Sequence, residues 1–579
     1  DIFDIIINDS MNWCVLYSRG RIKGQACTFH NLGFDPFKFF ADNPDIEKGF
    51  FYQNYSPGGS DRMYFTAENA GRIDFIRKTI EEWNSQGKLS LDEYSYLVYC
   101  LIEGVSCVSN TTGVYGSFLK HWDKRANNKI QILPISENLF NIADLNFTVM
   151  TSCARIEDVI ADIECDILYL DPPYTQNQYG TQYHLLETLV LNDSPAISRI
   201  TGSRPVTPMK SYWSKDLYSH VLLDHVVANT KARHILMSYN NDGFISKDYI
   251  EALFKRYGKP ETYECMEIGY KKYNNFKCKE REGHCEYLFY VEKKPIEDVV
   301  FESPLNYSGS KAGMIETIRN LLPGKIDTFV DAFGGGFNVG INIPAERIVY
   351  NDINQFVVGL IKSFKDTPSV EYFRALNKVI KDYGLAPNKK NEYLRLRNEY
   401  NSSKVDERSP ILLYALILFG FQQQIRFNGT YGFNIPCGSR RFNDKLIAKF
   451  VSFSRRINQI SVDFQCKSVF DANWQISPMT FFYFDSPYRE TTATYNDGKR
   501  GFEGWTIMHE KKLCSFMDKI NAHNAKFMFS YVLETNDFYN HDVEDWALSN
   551  GYNIHKVKDP QGRYNSRNEI LICLLYTSP

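Results

Sequence analysis

The chain lacks any apolar run close to the roughly 20 residues a membrane-spanning helix requires. Its longest, ILLYALILFGF at 411–421, has the length of a buried helix. The 13 cysteines include no CxxC pair and no metal-ligand spacing. That excludes a zinc ribbon or a thioredoxin-type redox motif and predicts reduced thiols and no metal. Neither sign of charge dominates: 66 Lys and Arg stand against 69 Asp and Glu, a net charge of −3. A polybasic nucleic-acid binder is excluded, while local basic patches remain open. No basic-then-apolar leader opens the chain, so a cytoplasmic protein without a membrane role is expected. Aromatic residues, by contrast, are plentiful, with 38 Tyr and 41 Phe. They suffice for a core and for stacking on bases. A length of 579 residues predicts two to four domains. Both ends read as cut: the chain starts inside an apolar strand, DIFDIIINDS, and the closing CLLYTSP reads as foreign to the natural protein.

Two short stretches carry the chemistry. ILYLDPPY (167–174) is a strand that stops at Asp171, Pro172, Pro173 and Tyr174. FFYFDSPY (481–488) stops at Asp485, Ser486, Pro487 and Tyr488. Prolines end strands because they cannot donate to the ladder, and they stiffen the turn beyond it. In open α/β sheets that turn lies where ligands bind.

The two stretches sit in a longer repeat. The second half runs through IDTFVDAFGGGFNVGINI (326–343), RIVYNDIN, a long middle region, FFYFDSPY, KFMFSYV and NEILI. The first half runs through IINDS, a long middle region, ILYLDPPY, HILMSYN and CEYLFYVE. Their middle regions share SNTTGVYGSF and RFNGTYGFNIPCG. Glycines let a backbone approach a ligand, and a glycine turn opening a helix is a nucleotide-site signal. Asp352 follows Asp331 by about 20 residues, the spacing of a ribose-binding acid in Rossmann-like sites. Asp9 occupies the matching place in the first half, whose own glycine turn would precede residue 1. EKKPIED (292–298) reads as a linker, which sets domains at 1–294 and 299–579.

An Asp-Pro-Pro-Tyr turn suits a reaction at an exocyclic amine. The amine's lone pair is delocalised into the ring, and two acceptors aimed at its hydrogens favour the nucleophilic tetrahedral form. The Asp carboxylate and the next backbone carbonyl can be those acceptors. The aromatic at the fourth position offers a stacking face worth about 1–3 kcal/mol, against the few kcal/mol that swinging a base out of a duplex costs. Because the acceptor is a main-chain carbonyl, Ser486 in place of the first proline should be tolerated.

Taken together, this order of motifs resembles the amino-group DNA methyltransferases, and within them the Dam-like adenine-specific class. NYSGSKAGM (306–314) resembles that class's opening cofactor motif, DAFGGGFNVG its main loop, and FNGTYGFNIPCG its N-G…F-N-P-G segment. YLDPPYTQNQYGTQYHLLETL and RMYFTAENAGRIDFIRKTI are similar to the amino-terminal half of the FokI-type fused adenine methyltransferases, which carry two catalytic units in one chain. The resemblance implies an α/β fold with two Rossmann-like S-adenosylmethionine-dependent methyltransferase domains. Each would hold a seven-stranded, mostly parallel sheet and a target-recognition insert. It implies the two Asp-x-Pro-Tyr turns as catalytic loops. Tyr307, Lys311, Asp331, Phe333, Gly334, Gly336, Asp352 and Asp9 would bind S-adenosylmethionine. It also implies double-stranded DNA as substrate, a cognate restriction endonuclease as a genetic partner only, a bacterial host and a monomer.

Other readings stay open at this stage. Lys311 could be a solvated surface lysine. LKHWDKR (119–125), KKYNNFKCKEREGH (271–284) and GSRRFNDK (438–445) could grip phosphates or be charged surface. The same geometry serves the cytosine amine or an RNA base. One half could be a DNA-binding scaffold, and the glycine turn alone would also fit a dinucleotide-dependent oxidoreductase.

Overall fold

The computed structural model describes residues 4–135, 147–269, 285–307, 309–489, 505–535, 538–557 and 569–574. The basic stretch at 271–284 lies outside them. Contact density divides the chain into one compact unit of residues 1–222, 229–232 and 238–244, and another of 223–228, 233–237 and 245–579. These bounds differ from those of the sequence repeat. The reason lies inside the second unit. There Asp224, fully buried, accepts hydrogen bonds from Tyr257 (2.9 Å), Ser452 (2.6 Å) and Arg455 (2.6 Å). A buried carboxylate persists only when paired and hydrogen-bonded in this way. It ties helix Lys247–Tyr257 to helix Asp444–Gln459, on which Ala448, Val451 and Ile457 face inward. The expected linker is not free either. The Lys293 amide and ammonium donate to the carbonyls of Arg233 and Ala228, the Lys294 amide donates to Tyr257, and Val299 is fully buried.

In the first half, β1 (Ile5–Asp9) and β2 (Val149–Cys153) pair in parallel, with Asp9 opposite Cys153. The strands β3 (Ile167–Leu170), β4 (His234–Asn240), β5 (Glu264–Gly269) and β6 (Cys285–Glu292) form a separate sheet in the order β3-β4-β6-β5. In the second half, β7 (Thr328–Asp331), β8 (Arg347–Asn351), β9 (Val462–Gln465), β10 (Thr480–Phe484) and β11 (Lys526–Val532) run parallel. The short β12 (Glu534–Thr535) and β13 (Phe538–Tyr539) pair apart from them. Antiparallel β14 (Asn553–Lys556) and β15 (Glu569–Cys573) complete a seven-stranded sheet of order β14-β15-β11-β10-β7-β8-β9.

The seven-stranded expectation therefore holds for the second half and fails for the first. Matching the halves motif by motif sets β1 against β8, β2 against β9, β3 against β10, β4 against β11, and β6 against β15. Among the described residues nothing in the first half matches β7, the strand that feeds the glycine turn and bridges β8 to β10. A cavity of about 1250 Å³ is lined by Ile5–Asp9 of β1 and Ile167–Leu170 of β3. The two halves also differ in burial. All five residues of β10 are buried, as expected of a strand covered on both faces. On β3 exposure alternates, and Tyr169 is 59 % exposed where its counterpart Tyr483 is 1 % exposed.

The first unit's apolar core gathers around helices Ala67–Ser85 and Leu91–Val108. The latter is started by a Ser90–Glu93 capping box. Among the described residues, no helix is long and apolar enough to cross a membrane.

Candidate active sites

In the second half the site lies at the carboxyl ends of the parallel strands, where open sheets place ligands. The strand β7 delivers Asp331, and the chain then turns through Gly334, Gly335 and Gly336. Gly335 takes a left-handed φ of 47°, which favours glycine. A Cβ on Gly334 would lie 2.3 Å from the Tyr350 ring, and one on Gly335 would lie 2.8 Å from that of Tyr307. Only bare backbone fits there. The turn is stapled from behind: the Gly335 amide donates to Asp352 Oδ2 (3.0 Å) and the Tyr350 hydroxyl donates to the Gly335 carbonyl (2.8 Å). The other Asp352 oxygen accepts from the Asn354 amide (2.8 Å). Asp331 Oδ2 accepts from the Gly340 amide (3.0 Å). The half-buried Phe333 packs edge-on against Phe484 and Trp505.

Beside the turn sits the Asp485–Tyr488 loop. Half-buried Asp485 accepts on Oδ1 from the Tyr488 hydroxyl (3.1 Å) and from Lys311 Nζ (3.1 Å). Lys311, 2 % exposed, also reaches the Tyr488 hydroxyl (2.8 Å) and Glu569 (3.4 Å). It is not a surface lysine. The Tyr488 ring stands edge-on to Tyr531 at 5.2 Å and 77°.

Electrostatics favour a cationic ligand. Burial pushes the Asp331 carboxyl up to about 7; the Gly340 amide pulls the other way, and Asp485 and Asp352 add to the rise. Burial likewise raises Asp485, with Lys311 and Tyr488 acting against it. Burial works against the Lys311 charge, but Asp485 and Glu569 outweigh it and hold the ammonium protonated. Two carboxylates, Asp485 and Glu569, face the Lys311 ammonium, and Asp331 lies near both Asp485 and Asp352. The glycine cradle and this acidic surround fit S-adenosylmethionine, whose sulfonium and ammonium groups are positive.

In the first half the same parts recur, more open. Exposed Asp171 accepts on Oδ1 from Tyr174 (2.6 Å) and from Ser238 (3.0 Å). The Tyr174 ring stands edge-on to Tyr239 at 5.1 Å and 81°. Asp9 Oδ1 accepts from the Met11 amide at 2.8 Å, repeating the Asp352–Asn354 turn. Burial raises the Asp9 carboxyl, and the Met11 amide opposes that. Both prolines, Pro172 and Pro173, are half-buried. In the other loop Ser486 is buried and Pro487 half-buried.

The structure thus brings Asp331, Asp352, Lys311 and Asp485 together, with Tyr307 against the glycine turn. Asp9 and Asp171 both line the cavity between β1 and β3. Sequence reading missed Ser238, Tyr239, Ser530, Tyr531 and Glu569. The first four were signalled by the Ser-Tyr pair shared by HILMSYN and KFMFSYV. Of the basic stretches, Lys120 and Lys124 in one, and Arg440, Arg441 and Lys445 in the other, are exposed.

Comparison with known proteins matches the duplication. The model of the D12 class N6 adenine-specific DNA methyltransferase family fits residues 4–253 and again residues 307–561. The chain is 35 % identical to the type II methyltransferase M.FokI of Planomicrobium okeanokoites, over 96 % of this chain and 89 % of that one. Identity is also 35 % to the modification methylase LlaI of Lactococcus lactis subsp. lactis, over 98 % and 92 %. The type II methyltransferase M.NlaIII of Neisseria lactamica is 35 % identical over 42 % of this chain and 72 % of its own. Two fits of one family model in series, each spanning a strand-end acid (Asp9, Asp352) and an Asp-x-Pro-Tyr loop, leave one assignment: the chain belongs to the D12 class N6 adenine-specific DNA methyltransferases.

Proposed function

We propose that the chain is the modification enzyme of a bacterial restriction–modification system. It would transfer methyl groups to the exocyclic amine of adenine in double-stranded DNA, each half addressing one strand of an asymmetric site. The observation that carries this reading is the duplicated constellation. In each half an Asp oxygen is held by the Tyr three residues on, whose ring is buttressed by a second Tyr from the next strand.

S-adenosylmethionine supplies a methyl group made electrophilic by the sulfonium. The glycine turn, Asp331 and Asp352 bind it, with Tyr307 and Phe333 alongside. Tyr488 stacks the flipped base. Asp485 and the Ser486 carbonyl accept the amine hydrogens, turning the nitrogen lone pair out of the ring. In the first half Asp171, the Pro172 carbonyl and Tyr174 take these roles. The exposed Arg440, Arg441 and Lys445, with Lys120 and Lys124, suit phosphate contacts that position a duplex without reading it.

Strand-resolved mapping of modified bases on unmethylated DNA tests this. Methyladenine on at least one strand of an asymmetric site, abolished there by Asp485→Ala and kept there by Asp171→Ala, is expected. Methylcytosine would overturn the adenine assignment and leave the amine mechanism standing. Methyladenine on both strands, with one strand lost in each variant, would show both halves active.

A further inference from the structure

In both halves two donors converge on one oxygen of the catalytic aspartate. On Asp171 they are Tyr174 and Ser238; on Asp485 they are Tyr488 and Lys311. Neither second oxygen, Oδ2, has a hydrogen-bond partner among the described residues, so each is open to an amine hydrogen. Ser530 is the counterpart of Ser238. Phe484 pairs with Phe529, which puts Ser530 next to Asp485 one strand over. Yet no hydrogen bond joins the fully buried Ser530 to Asp485; its hydroxyl faces that of Tyr483, much as Ser238 receives the Tyr169 hydroxyl at 2.9 Å. Ser238 donates in turn to Asp171 (3.0 Å), and the missing counterpart of that bond calls for an explanation.

Lys311 supplies one. It lies between two carboxylates, Asp485 at 3.1 Å and Glu569 at 3.4 Å. Movement toward Glu569 keeps the ammonium paired and frees Asp485 Oδ1. The Ser530 hydroxyl, one strand over, can then take the vacated place, giving the arrangement already present at Asp171. While Lys311 sits on Asp485 the carboxylate is neutralised and a weak acceptor. Held by two neutral hydroxyls, it keeps its charge for the amine.

We propose that Ser530 is a positioning residue for methyl transfer in the second half, exchanging with Lys311 on Asp485 Oδ1 as Lys311 shifts to Glu569. Ser238 does the same work permanently in the first half. This rests on the amine-methylation reading above, since it is the amine that needs the charged carboxylate. No proton changes owner in the exchange: Lys311 stays an ammonium throughout.

The test uses the full chain with duplex DNA, comparing wild type, Ser530→Ala, Glu569→Gln and the double variant. Single-turnover rates, KM for DNA, cofactor affinity and thermal unfolding are measured. Ser530→Ala is expected to slow the transfer rate about tenfold with KM and cofactor affinity within about twofold. Its unfolding temperature should change little, because the hydroxyl it removes makes no bond to Asp485 in the ligand-free protein. Glu569→Gln should slow transfer to a similar extent. The double variant should be little slower than the worse single one, as for groups serving one event. A Ser530→Ala rate within twofold of wild type, a loss confined to KM, or losses that multiply in the double variant would each overturn the proposal. Wild-type methyladenine formation decides the underlying reading separately, since it does not depend on the variants.

Discussion

Asp331 is the residue whose charge works hardest against the fold, and its replacement by Asn is the most informative perturbation. The side chain is buried at the end of β7, and one oxygen accepts from the Gly340 amide. Asn can keep that bond through its carbonyl while removing the charge. With its carboxyl at about 7 in the folded chain against an ordinary 3.8, the folded state holds a proton that the unfolded chain gives up. The cost is absent below pH 3.8, grows through the window from 3.8 to 7, and is complete above it. Worked from that interval, ionisation costs about 1.5 kcal/mol at pH 5 and about 4 kcal/mol at pH 8. Asp331→Asn should therefore gain about 2.5 kcal/mol more over wild type at pH 8 than at pH 5, or roughly 2–4 °C in unfolding temperature. Scanning calorimetry at the two pH values measures this. The cofactor reading adds a second expectation of opposite sign. The charge that destabilises the empty site is the one that would attract a sulfonium, so the variant should bind S-adenosylmethionine at least about tenfold more weakly at pH 8. An unfolding difference that is the same at both pH values, or an Asn variant less stable at pH 8, would refute the reasoning.

Gly334→Ala would drive a methyl group to 2.3 Å from the buried Tyr350 ring. It should weaken cofactor binding by about tenfold or more and lower the unfolding temperature by several degrees, as titration and scanning calorimetry would read. Tyr488→Phe removes the hydroxyl shared by Asp485 and Lys311 but keeps the ring. Turnover should fall about tenfold with KM for DNA little changed, whereas Tyr488→Ala should also lose the stacking contribution of about 1–3 kcal/mol. Hydrogen exchange should find residues 167–170 of β3 much less protected than residues 480–484 of β10, because β10 is flanked on both sides by partners and β3 borders a cavity. Equal protection of the two would contradict the strand assignment.

Much of the site was legible because its chemistry repeats at fixed places. The acid ending β8, the glycine turn after β7 and the aspartate ending β10 each mark the point where an apolar run stops. Period and proline read such boundaries well. The Ser-Tyr pair on β4 and β11 was visible as a repeat but had no assignable role. Its meaning depends on a neighbouring strand of distant sequence, as when Ser238 reaches Asp171 across 67 positions. Glu569 was invisible for the same reason: it meets Lys311 only because β15 lies antiparallel to β11. Polar, proline-punctuated composition at 292–298 does not tell a free linker from a segment whose backbone is hydrogen-bonded, as that of Lys293 and Lys294 is. Asp224 and Arg455, which hold distant helices together, carry no local signal at all.

Side by side, the two halves separate what a catalytic motif owes to its residues from what it owes to its sheet. Tyr169 and Tyr483, Asp171 and Asp485, Ser238 and Ser530, Tyr174 and Tyr488 are the same side chains in the same order. The Tyr-to-Asp bonds and edge-on Tyr pairs agree between the halves within about half an ångström. Local sequence alone is enough to build the turn. Burial is not local. Asp485 is half-buried, its carboxyl rises, and Lys311 pairs with it. Asp171 is exposed and is held by Ser238 instead. One turn is thus set in two surroundings, and it is those surroundings, brought in from distant sequence, that decide which partner the carboxylate takes.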